Sequence, residues 1–146
     1  MKNILFASII SLTLSSCTIV GNYYIVNKSQ TSLDVTLNVH QINQSVIENY
    51  IIRIDDISEK KIMYNSYKKM DKRTIQIDSL KKRFQFTIAP GEIAHIGEGP
   101  NTWIWNVKNI LISNNSEVTE LDGSAYNQFD IRKSGLFKYV GVKELN

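Results

Sequence analysis

Residues 33–40 alternate strictly between apolar and polar positions, with Leu33, Val35, Leu37 and Val39 set against Asp34, Thr36, Asn38 and His40. A period of two is the mark of a strand with one face buried and the other in water. The same period recurs at Phe84, Phe86 and Ile88, interleaved with Gln85, Thr87 and Ala89. Pro90-Gly91-Glu92 then predicts a type II turn into a strand over residues 93–96, because proline fixes φ at the first corner and glycine accepts the positive φ of the second. Residues 23–26 are strand-like and lie just before the turn-rich stretch 27–32, so they are expected to form a hairpin with residues 33–39. Residues 46–54 predict a further strand, since Tyr50-Ile51-Ile52-Arg53-Ile54 is β-branched and aromatic. The rest of the chain reads as a meander over residues 110–113, 117–121, 126–131 and 136–142, punctuated by Asn114-Asn115, Asp122-Gly123 and Ser134-Gly135.

Short strands at this spacing, without a long helical pattern, predict one all-β domain over residues 23–146, an antiparallel β-sandwich of immunoglobulin-like or similar form. The exception is residues 58–83, where nine Lys and Arg face only Glu59, Asp71 and Asp78. Met63, Tyr67 and Met70 fall there at helical spacing, which predicts one short helix near residues 58–69 with Ser58 as its cap.

The N-terminus departs from all of this. Met1-Lys2-Asn3 precedes an apolar run over residues 4–14 and then Ser15-Ser16-Cys17. A positive end, an apolar middle and small residues before a cut are the layout of a signal peptide. The eleven-residue run reaches about 16 Å as a helix, against the roughly 30 Å of a bilayer core, so it is too short to span. Leu14-Ser15-Ser16-Cys17 also resembles the lipobox of bacterial lipoproteins. That resemblance implies removal of residues 1–16, a diacylglyceryl group on the Cys17 sulfur, acylation of the new amine and a lipid anchor in a membrane. Thr18 after the cysteine implies sorting to the outer membrane, and the absence of an acidic stretch there favours its periplasmic face. Cys17 is the single cysteine of the chain, so lipidation also accounts for a thiol that has no disulfide partner. Residues 17–22 then form the lipidated tether.

Composition and motifs mainly exclude. Removing Lys2 takes the formal charge from +3 to +2, which gives no reason to expect nucleic acid as a partner. His40 and His95 are the two histidines, and neither Gly-x-Ser-x-Gly nor His-Glu-x-x-His occurs. Asp55-Asp56 lacks the spacing of a calcium loop, and Glu92, Glu98, Asp122 and Asp130 have no motif around them. The expectation is therefore no catalytic residue, no metal and no cofactor.

Two stretches invite a binding role. Trp103 and Trp105 would share a face of one strand and form a stacking platform for a sugar ring, but Val107 continues that face and argues for core. Lys60, Lys61, Lys68 and Lys69 would meet anionic headgroups near the anchor, or else remain solvated. The sequence is read as a membrane-anchored, non-catalytic binding or accessory component of the cell envelope. Its rivals are a glycan binder using Trp103 and Trp105, a component of a secretion or envelope assembly and, third, an unrecognised hydrolase.

Overall fold

The computed structural model describes residues 19–49, 52–56, 62–100, 104–114, 117–124, 127–136 and 138–146, apart from the side chains of residues 48 and 49. In chain order these form β1 (Val20–Asn27), β2 (Leu33–Val39), the helix α1 (Gln44–Asn49), β3 (Arg53–Asp56), a 3-10 turn (Ser66–Lys69), β4 (Asp71–Lys72) and β5 (Gln76–Asp78). There follow β6 (Arg83–Ile88), β7 (Glu92–Pro100), β8 (Val107–Asn114), β9 (Glu117–Asp122), β10 (Asp130–Gly135) and β11 (Lys138–Leu145). A six-stranded sheet, β10-β11-β1-β7-β3-β4, packs on a five-stranded sheet, β5-β6-β2-β8-β9. The expected sandwich is thus present. Among the described residues all pairings are antiparallel except β1 with β11.

Between the sheets lies the larger core, with Tyr23, Ile25, Ile54, Ile96 and Tyr139 from one side and Val35, Leu37, Phe84, Ile88 and Ile110 from the other. Tyr23 and Tyr139 bond through their hydroxyls at 2.8 Å, and the Tyr23 ring meets Phe129 edge to face at 5.6 Å. Gly141 makes room for this, since a Cβ there would come within 2.5 Å of the Tyr23 ring. The Pro90-Gly91 corner is a type II turn as expected: Gly91 has φ +77°, and the Glu92 N–H donates to the Ala89 carbonyl at 3.1 Å.

A second, smaller core sits on the opposite face of the six-stranded sheet. Tyr24, Val26, Ile93, Val140 and Val142 are covered there by Met70, with Ile62, Tyr64 and Tyr67 packed against them. Residues 62–70 therefore act as a strap, and they bury β1 on both faces, so that Gly21–Asn27 are all buried.

Several sequence expectations are corrected. Residues 23–26 and 33–39 are not a hairpin, because β1 and β2 lie in different sheets. Asn27 explains the crossing: its amide donates to Thr31 O at 2.8 Å and Ile88 O at 2.9 Å, while its Oδ1 accepts from Ser29 N and Oγ. These bonds fold the loop across the sandwich rather than back along β1. The strand expected over residues 46–54 is instead α1 followed by β3, Asn43 Oδ1 capping the helix through the Val46 N–H at 2.9 Å. The expected meander is two hairpins, β8–β9 and β10–β11, one in each sheet. Of the helix expected near residues 58–69, the described part holds only the 3-10 turn, while Ser58 lies outside the described residues. Finally β1 begins at Val20, so residues 20–22, expected in the tether, belong to the sheet.

Candidate functional site

Midway along its pairing with β1, β7 shifts register. Tyr24 pairs with His95 but Tyr23 pairs with Gly97, leaving Ile96 as the extra residue of a bulge. Gly97 takes φ +149°, a conformation that a side chain would strain. The bulge opens a cleft of about 470 Å³ lined by Arg53, Tyr67, His95, Glu98, Trp105 and Asn106, with Ser45 and Val46 of α1 completing its wall.

His95 forms the floor. It is 7% exposed, its ring stacks on Tyr67 at 4.6 Å, and its Nε2 lies 2.7 Å from Asn22 Oδ1. Asn22 is fully buried. Burial and the neighbouring Arg53 guanidinium push the imidazole down to about 4, so it is neutral at physiological pH. The Gly97 backbone opposes part of that fall, and Nδ1 makes no bond of ordinary hydrogen-bond geometry. Beside it Tyr24 accepts from the Tyr67 N–H at 3.2 Å and donates to Met63 O at 3.4 Å, and burial raises its phenol well above the ordinary range. Arg53 is steadied by a bond from Nη1 to Met70 O at 3.3 Å. The strap therefore fixes both the floor and one wall.

The rim is set by the turn at Trp105-Asn106. Asn106 takes φ +63°, which asparagine tolerates better than most residues. Its side chain spans to the chain beyond β2, donating to Gln41 O at 2.9 Å and accepting from the Gln41 N–H at 3.2 Å, while its carbonyl accepts from the His40 N–H at 3.0 Å. The Trp105 N–H donates to Glu98 O at 2.8 Å. A clamped backbone thus carries an indole that is 71% exposed.

This corrects the expectation that Trp105 shares a buried face with Val107. The chain turns between them, so Ile104 and Val107 point into the core and Trp105 stands out. Trp103 lies outside the described residues, as do Cys17, Lys60 and Lys61. Lys68 and Lys69 are exposed on the strap over the middle of the six-stranded sheet and do not join the cleft. Among the described residues no three His, Cys, Asp or Glu side chains gather as a metal site, and no helix is long and apolar enough to cross a membrane.

Of the residues brought together here, the sequence offers only Trp105 as a binding residue; it names His95 and Glu98 without giving them a role, and it does not point to Arg53, Asn22 or Asn106. A signal was present for the floor: Asn22 and His95 are polar residues inside apolar strands, and buried polar groups need partners. Nothing in the sequence spacing joined them. The chain matches no family model, no curated protein and no solved structure.

Proposed function

We propose that this is a lipid-anchored, non-catalytic binding protein of the bacterial cell envelope, and that its cleft takes a sugar ring against Trp105. The observation that carries the reading is a 71% exposed indole, on a hydrogen-bonded turn, at the rim of a cleft that is also lined by Arg53, Glu98, Asn106 and Ser45. An indole offers an apolar face to the C–H side of a sugar, and the surrounding donors and acceptors suit its hydroxyls. His95 supports this use as a neutral, stacked floor. The anchor rests on the lipobox resemblance at Leu14-Ser15-Ser16-Cys17.

Titration of the protein with peptidoglycan fragments and lipopolysaccharide core oligosaccharides, read by tryptophan fluorescence and calorimetry, tests the cleft. Saturable binding is expected, weakened at least about tenfold by Trp105→Ala, which corresponds to about 1.4 kcal/mol. Binding that Trp105→Ala leaves unchanged, or no binding to either class, would sink the glycan reading. Mass spectrometry of the peptide carrying Cys17 tests the anchor separately.

A second reading, as a component of an envelope assembly, draws on β9. This edge strand has five of its six residues exposed, and Val118 is 70% exposed. An uncovered edge can accept a partner's strand. Val118→Asp should then abolish recovery of a partner from cross-linked membranes without changing sugar binding.

A further inference from the structure

The two ends of the sandwich differ in charge and in apolar exposure, and the strand register says which residues share an end. Val20 pairs with both Lys138 and Pro100, so the chain enters from residues 1–18 beside the β10–β11 hairpin tip. The crossing at residues 28–32 joins the far end of β1 to the start of β2, which puts the end of β2 at the entry end. There Asn38 pairs with Arg83, and Arg83 with Asp78, so the β5–β6 tip lies at the entry end too. That end carries Lys81, Lys82, Lys108, Lys133 and Lys138 against Asp122 and Glu98, the latter opposite Asn22 near the start of β1, with Arg83 bridged to Asp78. The opposite end carries Asp34, Asp55, Asp56 and Glu117 against Lys143, with Glu92 and Glu144 bridged to Arg73 and Lys28.

Apolar exposure follows the same division. The two most exposed large apolar side chains among the described residues are Leu80, at 97%, and Leu136, at 80%, and each occupies a hairpin tip at the entry end. Ile19 and Trp105 lie at this end as well, whereas Val118 is at the other. Single exposed leucines are ordinary on a protein surface. Two at hairpin tips of the same end, one in each sheet, each beside lysines and on the side where the chain's apolar N-terminal segment attaches, are a pattern with a direction.

We propose that the entry end is a membrane-contact face, with Leu80 and Leu136 inserting among the headgroups of an anionic bilayer while Lys81, Lys82, Lys133 and Lys138 meet the lipid phosphates. Apolar tips ringed by basic residues bind such a surface by combining burial with electrostatic attraction. The acidic opposite end is repelled from the same surface, which fixes the orientation. Docked this way, the cleft beside Trp105 opens near the headgroup layer. The proposal rests on the anchor reading for its N-terminal lipid but makes its own claim about the domain. It also moves the basic contact from Lys68 and Lys69, on the strap, to the hairpin tips.

The test uses the full, processed protein in phosphatidylethanolamine–phosphatidylglycerol vesicles, with Leu80→Cys, Leu136→Cys and Val118→Cys each labelled by an environment-sensitive dye. Labels at residues 80 and 136 should shift to the blue and be quenched by nitroxide lipids, while the label at residue 118 stays aqueous. Combined replacement of Lys81, Lys82, Lys133 and Lys138 by glutamate should cut that quenching about tenfold or more. If Cys17 is acylated and the labels at 80 and 136 remain aqueous, the docking face is wrong and the anchor stands. If Cys17 is unmodified, the anchor reading fails, and Cys17→Ser protein with the same labels is added to the vesicles. Salt-sensitive quenching at residues 80 and 136 then supports the face, and its absence overturns it.

Discussion

The five-stranded sheet keeps one face in water, and β2 reads as a clean alternation of buried and open positions. The six-stranded sheet is covered on both faces along its strands β11, β1 and β7, and β1 has no alternation at all. The reason is the strap of residues 62–70, which turns the outer face of β1, β7 and β11 into a second core. One sheet is thus half of an ordinary sandwich, while the other is a middle layer. The candidate site belongs to the middle layer, because only there can a polar pair such as Asn22 and His95 be buried away from the main core.

The comparison is broken most forcefully in the shared core. Phe84 is fully buried between the sheets, so Phe84→Ala should cost about 3–5 kcal/mol in chemical denaturation. The loss should be global, lowering hydrogen-exchange protection in both sheets together. A loss confined to the five-stranded sheet would mean that the two sheets do not unfold as one unit.

The middle layer should respond to acid in a way the five-stranded sheet does not. His95 is held at about 4, below its ordinary 6.5, by burial and by Arg53. The unfolded chain therefore binds a proton that the folded chain refuses between those values. Stability is fully present above about pH 6.5, falls as the pH drops towards 4, and levels off below it. The amount at stake is about 3 kcal/mol. His95→Gln should flatten that segment of the stability curve relative to the native protein. Equal slopes in the two proteins would show that His95 is accessible to protons in the folded state.

Legibility in the sequence divides along the same line. Leu33, Val35, Leu37 and Val39 announce β2, and Phe84, Phe86 and Ile88 announce β6, because a half-buried strand writes its two faces into alternate positions. Pro90-Gly91 announced its turn through backbone restriction alone. Tyr23-Tyr24-Ile25-Val26 showed that a strand was there but not that both of its faces are covered, nor which sheet it joins, since the crossing depends on Asn27 bonding to Ile88, which is distant in the chain. Trp103-Ile104-Trp105 misled for a related reason. Alternation was assumed to continue into Val107, but Asn106 takes a left-handed conformation and breaks the strand. The cleft was not legible as a whole, because it is assembled from α1, β3, β7, the strap and one turn.

A strap that adds a layer should be separable from the sandwich beneath it. Met70, 6% exposed, is its main buried contact, so Met70→Ala should cost about 2 kcal/mol, the lower end for such a truncation because one side of that core is thin. The amides of Lys68 and Met70 should exchange faster, with little change in β2 or β6. Tyr67 would lose its seat on His95, so sugar binding should weaken in the same variant. If exchange rises equally in both sheets, the strap is integral to the fold and not a separate layer.

The smallest effect concerns how the strap leaves the six-stranded sheet. Just beyond β4, Arg73 grips Glu92 with two bonds, Nη2 to Oε1 at 2.8 Å and Nη1 to Oε2 at 3.1 Å, and Glu92 also accepts from the Ala89 N–H at 2.7 Å. Partial burial pushes the Glu92 carboxyl up, but the Arg73 and Ala89 bonds outweigh it and hold the group below its ordinary value. The arginine side chain is 43% exposed, so solvent screens the pair and its contribution is at most about 1 kcal/mol. Arg73→Gln should cost no more than that, and the difference from the native protein should shrink in high salt. Because the carboxyl is depressed, this stability is present at neutral pH and lost as acid protonates Glu92, the same direction as for His95 but at lower pH. Measured in the His95→Gln background, the Arg73→Gln effect should be unchanged, since Glu92 lies at the acidic end of β7 while His95 sits at its bulge. Coupling of more than about 0.5 kcal/mol between the two would mean that the cleft and the strap's exit move together.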